Sequence, residues 1–355
     1  MYSVRSARQF STSALRAVSF KTVPASSDSV SSLKVIVKNA GSKSGPSGLA
    51  HLVSTSTFLD TPEKSGLRLK REAELLGGEY SAEITRDALI LKATFLKEGL
   101  PFFVNALGSA LAKASFKPHE LKEVAGPYSS YVNSLKTSCP KTKGIEELHA
   151  VTFRSGLGLP LWYDGFKSYS TEDIKTFAKS AFLTENIEII GENVDSADLQ
   201  KFVSESSFAS LPTGNDVIAQ PQPTYTGSES RIRRAGKTSA VLGFAVEDAD
   251  AFELVAAGLV ANAPSTISAN VESKVLSYDG ASLFYFSVTS SDAAETSKII
   301  KDAAKHLKTL DFSKYAKYAS YLAGKPVTSK SVTIPSEFNL VVIGDVDNAP
   351  LKSEL

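Results

Sequence analysis

The sequence is poor in the residues that build metal sites, disulfides and redox centres. Its 355 residues include one cysteine, four histidines, one tryptophan and one methionine. Cys139 alone excludes an intrachain disulfide, an iron–sulfur cluster and any metal site that needs several thiolates. Three of the histidines stand far apart, at His119, His149 and His306. We therefore expect no cofactor and no metal, and we interpret the neighbouring Glu146 and His149 as a surface feature.

The chain also lacks a charge imbalance and long apolar runs. Basic residues number 39 and acidic residues 38, so the net charge is +1 and nothing draws the whole protein to nucleic acid. No stretch approaches the ~20 apolar residues of a membrane-spanning helix. The longest candidate, 251–264, is short and is interrupted by Glu253 and Asn262. Neither a phosphate-binding P-loop nor a glycine-rich dinucleotide motif in a strand-to-helix context occurs.

Acidic residues are missing from the N-terminus, where none precedes Asp28. The segment is rich in Ser and Arg, a composition typical of mitochondrial transit peptides. Within RQFSTS, Arg8 lies two residues before Phe10 and Ser13 follows three residues later, which resembles a two-step processing motif. That resemblance places a first cut before Phe10 and a second after Ala17. A disordered basic tail is the alternative.

The two halves of the chain repeat one order of predicted elements. In the first half, alternating apolar residues predict strands at 33–37 and 88–96, and an apolar stripe from Leu100 to Leu111 predicts a helix. In the second half, SLFYFSVTS at 282–290 predicts a strand, which a second striped helix follows. Strands beside helices without strict βαβ alternation predict an α+β fold of two related α/β units.

Two matched pairs of segments indicate that the second unit is shortened. Matching Leu89 with Leu283 gives an offset of 194 residues. Matching NIEIIGENVD, at 186–195, with NLVVIGDVDN, at 339–348, gives an offset of 153. The offsets differ by 41 residues, so the second copy lacks about that much of the material between its matched strands.

A segment that is punctuated by Pro and Gly and has no apolar period separates the copies, and we predict that it is a long linker. Its basic cluster RIRR is interpreted as part of that solvated linker. The predicted organisation is a transit peptide at 1–17, an N-terminal α/β domain at 18–206, the linker at 207–239 and a shortened C-terminal α/β domain at 240–355.

Two segments of the first half, GLAHLVSTSTFLDTPEKSG and REAELLGGEYSAEITRDALILKATFLKEGLPFFVNALGSAL, resemble the pitrilysin-type metallopeptidases, or inverzincins. The resemblance covers about residues 20–355 and implies their duplicated fold. In that family a helix carries H-x-x-E-H, in which two histidines bind zinc and the glutamate activates water. His51 stands at the first histidine position, Ser54 at the glutamate position and Thr55 at the second histidine position.

These departures from the motif remove the groups that peptidase chemistry needs. Neither Ser54 nor Thr55 replaces imidazole as a zinc ligand or carboxylate as a general base near neutral pH. Glu123 falls where the resemblance places a third ligand, but the Pro127-Tyr128 pair interrupts the helix expected there. We predict a degenerate site with no catalytic residue and no metal, in which His51 is a packed or solvated remnant.

Mitochondrial relatives without the zinc motif are of two kinds. The α subunit of the processing peptidase carries a long glycine-rich loop, which this sequence lacks. The compact length and the shortened second copy look more like the core subunits of fungal ubiquinol–cytochrome c reductase, complex III. That resemblance implies a structural subunit, peripheral to the matrix side of the inner membrane, in a dimeric assembly with core subunit one, cytochrome b, cytochrome c1 and the Rieske subunit. A processing-peptidase-like subunit, binding presequences or completing a metal site with a partner, is the alternative.

Overall fold

The computed structural model describes residues 18–24, 29–214, 222–261, 263–323 and 332–355. The predicted processing residues Arg8, Phe10, Ser13 and Ala17 lie outside these ranges, so the transit peptide stays a prediction. The strands are β1 (Ser19–Val23), β2 (Val30–Lys38), β3 (Glu79–Ile84), β4 (Ala88–Leu96), β5 (Ile187–Glu192), β6 (Glu229–Arg233), β7 (Thr238–Val246), β8 (Val271–Tyr278), β9 (Ala281–Ser290) and β10 (Asn339–Gly344).

The α-helices divide between the two halves of the chain. Those of the first half are α1 (Leu49–Ser56), α2 (Gly66–Leu75), α3 (Leu100–Ala112), α4 (Pro118–Glu123), α5 (Ser129–Thr137), α6 (Pro140–Phe153), α7 (Thr171–Ala181) and α8 (Ser196–Glu205). Those of the second half are α9 (Ala249–Ala261), α10 (Ser265–Ser268), α11 (Ala293–Thr309) and α12 (Ala316–Ala323). Within the described ranges, no helix combines the length and the apolar character needed to cross a membrane.

The strands form two five-stranded sheets with one shared topology. The first sheet has the order β1-β5-β2-β4-β3 and the second the order β6-β10-β7-β9-β8. In each sheet one edge pair, β1 with β5 or β6 with β10, is parallel, and the remaining pairs are antiparallel. The same order and the same orientations occur twice, which confirms the predicted α+β fold of two related units.

Alternation along the strands explains why one face of the first sheet is buried. Leu33, Val35 and Val37 occupy alternate positions of β2 and are almost completely buried. On the same face, Phe95 of β4 stacks on Phe103 of α3 with the ring centroids 4.7 Å apart. Helix α3 therefore covers this face of the first sheet.

The structure corrects the residue match between β4 and β9. Leu89 shares a face of the first sheet with Phe95, which packs on α3, the helix that follows β4. In the second sheet, Phe284 and Phe286 pack with residues of α11, the helix that follows β9, whereas Leu283 points to the opposite face. Matching Leu89 with Leu283 is therefore wrong by an odd number of residues, because side chains alternate between faces.

The chain forms two compact units whose bounds depart from the predicted domains in one segment. The first unit comprises residues 1–127 and 165–217, and the second comprises 128–164 and 218–355. Residues 128–164, which carry α5 and α6, thus pack with the second unit although they lie in the first half of the sequence.

The segment 128–164 also accounts for most of the length difference between the copies. In the first copy 90 residues, 97–186, separate β4 from β5, whereas in the second copy 48 residues, 291–338, separate β9 from β10. The first copy is longer by 42 residues, and 37 residues of this stretch belong to the second unit. The second copy is therefore shortened as predicted, mainly because the first contributes a segment that serves the second sheet.

Helix α6 covers the face of the second sheet that lies opposite α9 and α11. Leu148 and Phe153 of α6 are completely buried against Val241, Leu283 and Tyr285 of the sheet. This places the second sheet between two apolar layers, one contributed by each half of the chain.

Two glycines let α6 approach the second sheet closely. A Cβ added to Gly144 of α6 would lie 2.7 Å from Cγ2 of Val241. A Cβ added to Gly243 of β7 would lie 2.8 Å from Cδ2 of Leu148 and would also meet the Phe284 carbonyl oxygen. Both distances are shorter than real Cβ contacts, so only glycine allows this separation of helix and strand.

The corresponding face of the first sheet is polar. Lys92 of β4 pairs with Glu83 of β3, and both side chains are about half exposed. Lys21 of β1 and Lys38 of β2 both pair with Glu188 of β5. Cross-strand ion pairs of this kind suit a face in contact with water.

The predicted linker is only partly a linker, and its basic cluster lies in a strand. Residues 229–233 form β6, and β7 begins at Thr238. Arg231 donates to the carbonyl oxygens of Val346, Ala349 and Pro350, and Arg233 makes a bidentate ion pair with Asp347. The cluster RIRR therefore holds the C-terminal loop onto the sheet, and interpreting it as a solvated linker was wrong. Residues 215–221 of the predicted linker lie outside the described part of the chain.

Candidate functional site

Helix α1 carries the degenerate motif. Gly48, immediately before the helix, has a φ of 75°, a left-handed conformation that favours glycine. The helix that follows is buried on most of its surface, and its motif residues His51 and Ser54 are 3% and 4% exposed. Thr55, at the next position, is half-buried. The three motif residues thus lie close together in a packed helix, as their i, i+3, i+4 spacing predicts.

The two hydroxyl groups of the motif bond to the helix backbone. Oγ of Ser54 donates to the carbonyl oxygen of His51 over 2.9 Å, and Oγ1 of Thr55 approaches the same oxygen at 3.0 Å. Oγ1 of Thr55 also lies 3.0 Å from the carbonyl oxygen of Leu52. Bonds of this kind, from Ser or Thr to a carbonyl one turn earlier, are common inside helices. The hydroxyls therefore act as internal helix groups, with their protons directed to the backbone.

Burial keeps His51 neutral. Desolvation lowers the pKa of the His51 imidazole to about 4, because the charged form loses hydration in the packed helix. At neutral pH the ring is therefore uncharged. A neutral imidazole could donate a lone pair to a metal, but neither Ser54 nor Thr55 supplies a second ligand beside it. His51 is thus packed in the helix, and its origin as a remnant of the motif stays a prediction.

The helix that would supply a further ligand is broken where the sequence predicts. Helix α4 ends at Glu123, and the next five residues, Val124–Tyr128, form a single π-helical turn. Gly126 within this turn has φ −96° and ψ −110°, outside the helical region. Glu123 itself is exposed. The structure therefore gives no indication that Glu123 completes a metal site with His51.

The buried carboxylate near this position is Glu120, which was not among the predicted site residues. Its oxygens accept hydrogen bonds from the backbone N–H groups of Lys117, at 3.0 Å, and Asp60, at 3.1 Å. Lys117 in turn donates its Nζ to Asp60 over 2.7 Å, and that bond lowers the pKa of the Asp60 carboxyl. Glu120 thus caps α4 and ties it to the loop after α1. Its position two residues after Pro118, the first residue of α4, is the sequence signal for this role.

The pair Glu146 and His149 is not the surface feature that we expected. His149 is 1% exposed, with Nδ1 2.7 Å from the Ile145 carbonyl oxygen and Nε2 2.8 Å from the Tyr278 hydroxyl. Since Nδ1 faces a carbonyl, it carries the proton, and Nε2 accepts from the tyrosine. Glu146 instead accepts from the backbone N–H of Leu161. Both residues hold α6 and its following loop in place.

Across the described ranges, no group of three or more His, Cys, Asp and Glu side chains could hold a metal ion. The chemistry that α1 can perform is correspondingly limited. It offers one neutral imidazole and two hydroxyls that bond to the helix, and the glutamate position of H-x-x-E-H is occupied by Ser54. Two of the three functional groups of H-x-x-E-H are thus missing from α1.

Comparison with known proteins agrees with this geometry. The family model described as Insulinase (Peptidase family M16) matches residues 22–165, which confirms the resemblance to the pitrilysin-type peptidases. The cytochrome b-c1 complex subunit 2, mitochondrial, of Debaryomyces hansenii is 41% identical over 92% of this chain and 93% of its own length. The chain belongs to the cytochrome b-c1 complex subunit 2 family. The member of that family from Saccharomyces cerevisiae is 37% identical over 92% of this chain and 93% of its own length.

The fold is shared with a solved peptidase-like structure. A crystal structure of a peptidase M16 inactive domain from Pseudomonas fluorescens superposes with a TM-score of 0.75. The match covers 91% of this chain and 94% of that one at 15% sequence identity. The duplicated fold of the cytochrome b-c1 complex subunit 2 family is therefore the M16 peptidase fold.

Proposed function

We propose that this chain is a non-catalytic structural subunit of a mitochondrial cytochrome b-c1 complex, in the position of core subunit two. The main support for the proposal is that α1, in a member of this family, lacks two of the three functional groups of the zinc motif. Ser54 and Thr55 replace the two groups that the H-x-x-E-H chemistry needs, and both hydroxyls bond to the helix backbone. What the peptidase fold retains is surface for contact with other proteins.

The proposed partners are core subunit one, cytochrome b, cytochrome c1 and the Rieske subunit. The proposed location is the matrix side of the inner mitochondrial membrane, where the chain is peripheral to the bilayer. Two facts support this proposal: relatives that match nearly the whole chain are named as mitochondrial subunits of that complex, and no described helix could cross a membrane. Permanent complexes bury upwards of roughly 2,000 Å², so such a subunit should depend on its partners for stability.

Removal of a proposed partner tests the function. Mitochondria that lack core subunit one, or that lack cytochrome b, are compared with unmodified mitochondria for the abundance of this chain and of its messenger. We expect the chain to disappear or aggregate while its messenger is unchanged, because apolar area meant for partners is left in water. An unrelated soluble mitochondrial protein serves as the control for general loss.

Native electrophoresis distinguishes the proposal from its rival. The chain should co-migrate with cytochrome b in solubilised mitochondria. Co-migration with a catalytic processing-peptidase subunit, together with binding of a synthetic presequence peptide, would support the processing-peptidase alternative instead. Persistence at normal level as a soluble, protease-resistant monomer in the absence of core subunit one would contradict the structural role.

A further inference from the structure

The first unit has an apolar groove at one end of its sheet. The groove encloses about 750 Å³ between the C-terminal end of α2 and the strand ends of β2, β3 and β4. Its floor and walls include Val30, Ala73, Tyr80, Phe95 and Leu96. Every lining residue belongs to the first unit. The groove is therefore a property of that unit alone.

Exposed apolar side chains concentrate around this groove. Val30 and Leu96, which face each other across β2 and β4, are 42% and 47% exposed. At the end of α2, Leu75 is 87% exposed and Leu76 is 42% exposed. The side chain of Leu96 comes within 3.2 Å of the position a Cβ would take at Gly77, so the strand ends and the helix end are in contact. Val30, Leu96 and the end of α2 thus form the rim of the groove.

Val30 and Leu96 lie at the ends of their strands, where their side chains are about half exposed. Contiguous exposed apolar surface of this kind marks interaction sites.

The charges at the groove indicate the chemistry of its occupant. Glu74 and Glu79 line it together with Lys70, and all three are exposed. Within the described residues neither carboxylate has an ion-pair partner, so the rim has an excess of negative charge. Burial and the nearby Glu74 carboxylate raise the pKa of the Tyr80 phenol, and both residues line the groove.

We propose that the groove binds an apolar anchor flanked by lysine or arginine, contributed by another subunit of the assembly. The proposal rests on the proposed function. The apolar side chains of the anchor would lie between Val30, Leu96 and the end of α2. Its basic residues would face Glu74 and Glu79, which gives the contact both affinity and orientation.

Cross-linking in the intact assembly tests the contact directly. A photoreactive phenylalanine analogue replaces Lys70, which lines the groove and is exposed, so that the chain accepts the change without repacking, and isolated mitochondria are irradiated. The same analogue at Phe166, which is 90% exposed and outside the groove, is the matched control. We expect a cross-link from position 70 to a peptide of another subunit that has apolar residues next to Lys or Arg. A cross-link to a second copy of this chain, to lipid, or to an acidic segment, or no cross-link at all, would overturn the proposal.

Substitutions at the groove test the energetics. The double variant Val30→Thr with Leu96→Ser replaces the two facing apolar side chains with hydroxyl residues. Loss of an apolar contact at an interface hot spot weakens binding about ten-fold or more, so this variant should dissociate from cytochrome b in a salt and detergent wash that unmodified protein resists. The double variant Glu74→Lys with Glu79→Lys should do the same, and Phe166→Ser should not.

The outcomes separate the two proposals. If the unmodified chain is absent from the assembly that contains cytochrome b, the proposed function is wrong. If the unmodified chain is present and all groove variants stay bound as firmly as Phe166→Ser, only the groove proposal is wrong. Thermal unfolding of each purified variant, expected to match that of the unmodified chain, shows that the loss is one of binding.

Discussion

Shortening Leu148 to alanine should loosen the second sheet and leave the first sheet unaffected. Leu148 lies on α6, which belongs to the first half of the sequence, yet it is completely buried against the second sheet. Its substitution therefore tests whether α6 stabilises the unit into which it packs.

The magnitude follows from the packing of this side chain. Leu-to-Ala substitutions at fully buried sites cost about 2–5 kcal/mol, because a cavity remains where the side chain was. Leu148 contacts Gly243, which has no side chain that could move into the space. A loss of about 3 kcal/mol corresponds to a more than hundred-fold larger population of the opened second unit.

Amide hydrogen exchange followed by mass spectrometry measures this opening unit by unit. Peptides from β7 and β9 should exchange on the order of a hundred times faster in Leu148→Ala than in the unmodified chain, provided that they exchange through opening of the whole unit. Peptides from β2 and β4 should keep their rates. Leu135→Ala, on the exposed side of neighbouring α5, is the control and should change neither set.

The opposite pattern would refute the reasoning. If exchange rises in β2 and β4 while β7 and β9 stay protected, α6 stabilises the first unit and the boundaries predicted from the sequence describe the cooperative units better. Equal acceleration in both sheets would mean that the two units unfold together.

Three further predictions concern the N-terminal half. The pKa of His51 is about 4 in the folded chain and about 6.5 in the unfolded chain. The free energy of unfolding should therefore be full above pH 6.5 and fall by on the order of 2–3 kcal/mol toward pH 4. Urea titrations should show that His51→Gln loses this pH dependence and that His119→Gln retains it. Elemental analysis should find far less than one zinc per purified chain, and one tightly held zinc that is lost in His51→Ala would contradict the degenerate site. N-terminal sequencing of protein purified from mitochondria should begin near Val18, and a start at Met1 would disprove the predicted cuts.

Much of the fold could be predicted because it depends on local pattern. The alternation of Leu33, Val35 and Val37 identifies β2 and its buried face, and the similarity of 186–195 to 339–348 identifies the duplication. The face of β9 could not be assigned in the same way. Both of its faces are buried, so Leu283 and Phe284 are equally apolar and no alternation distinguishes them.

The packing of α6 could not be predicted from local pattern. Its buried residues interact with strands that begin nearly a hundred positions later, at Thr238 and beyond. Apolar periodicity shows that a helix has a buried face, but it does not show which sheet that face meets. The same limit applies to Arg231, whose carbonyl partners lie more than a hundred residues away.

The degenerate site could be predicted in composition but not in its hydrogen bonds. The spacing of His51, Ser54 and Thr55 follows from the sequence alone, as does the break after Glu123. The hydroxyls could have bonded to the imidazole, to water or to the backbone, and the structure shows that they bond to the carbonyl groups of their own helix. The spacing of the residues does not decide among these.

The position of α6 in the sequence imposes an order on folding. Leu148 is synthesised well before Val341, its neighbour in the same buried cluster, which lies 193 residues further along the chain. Because the chain emerges N-terminus first, the apolar side of α6 stays uncovered until the last strand of the second sheet has been synthesised. Contacts between such distant residues close large loops and form slowly, and partly folded chains with uncovered apolar surface aggregate. Folding of this protein should therefore be slow and dependent on chaperones until its last strand joins the sheet.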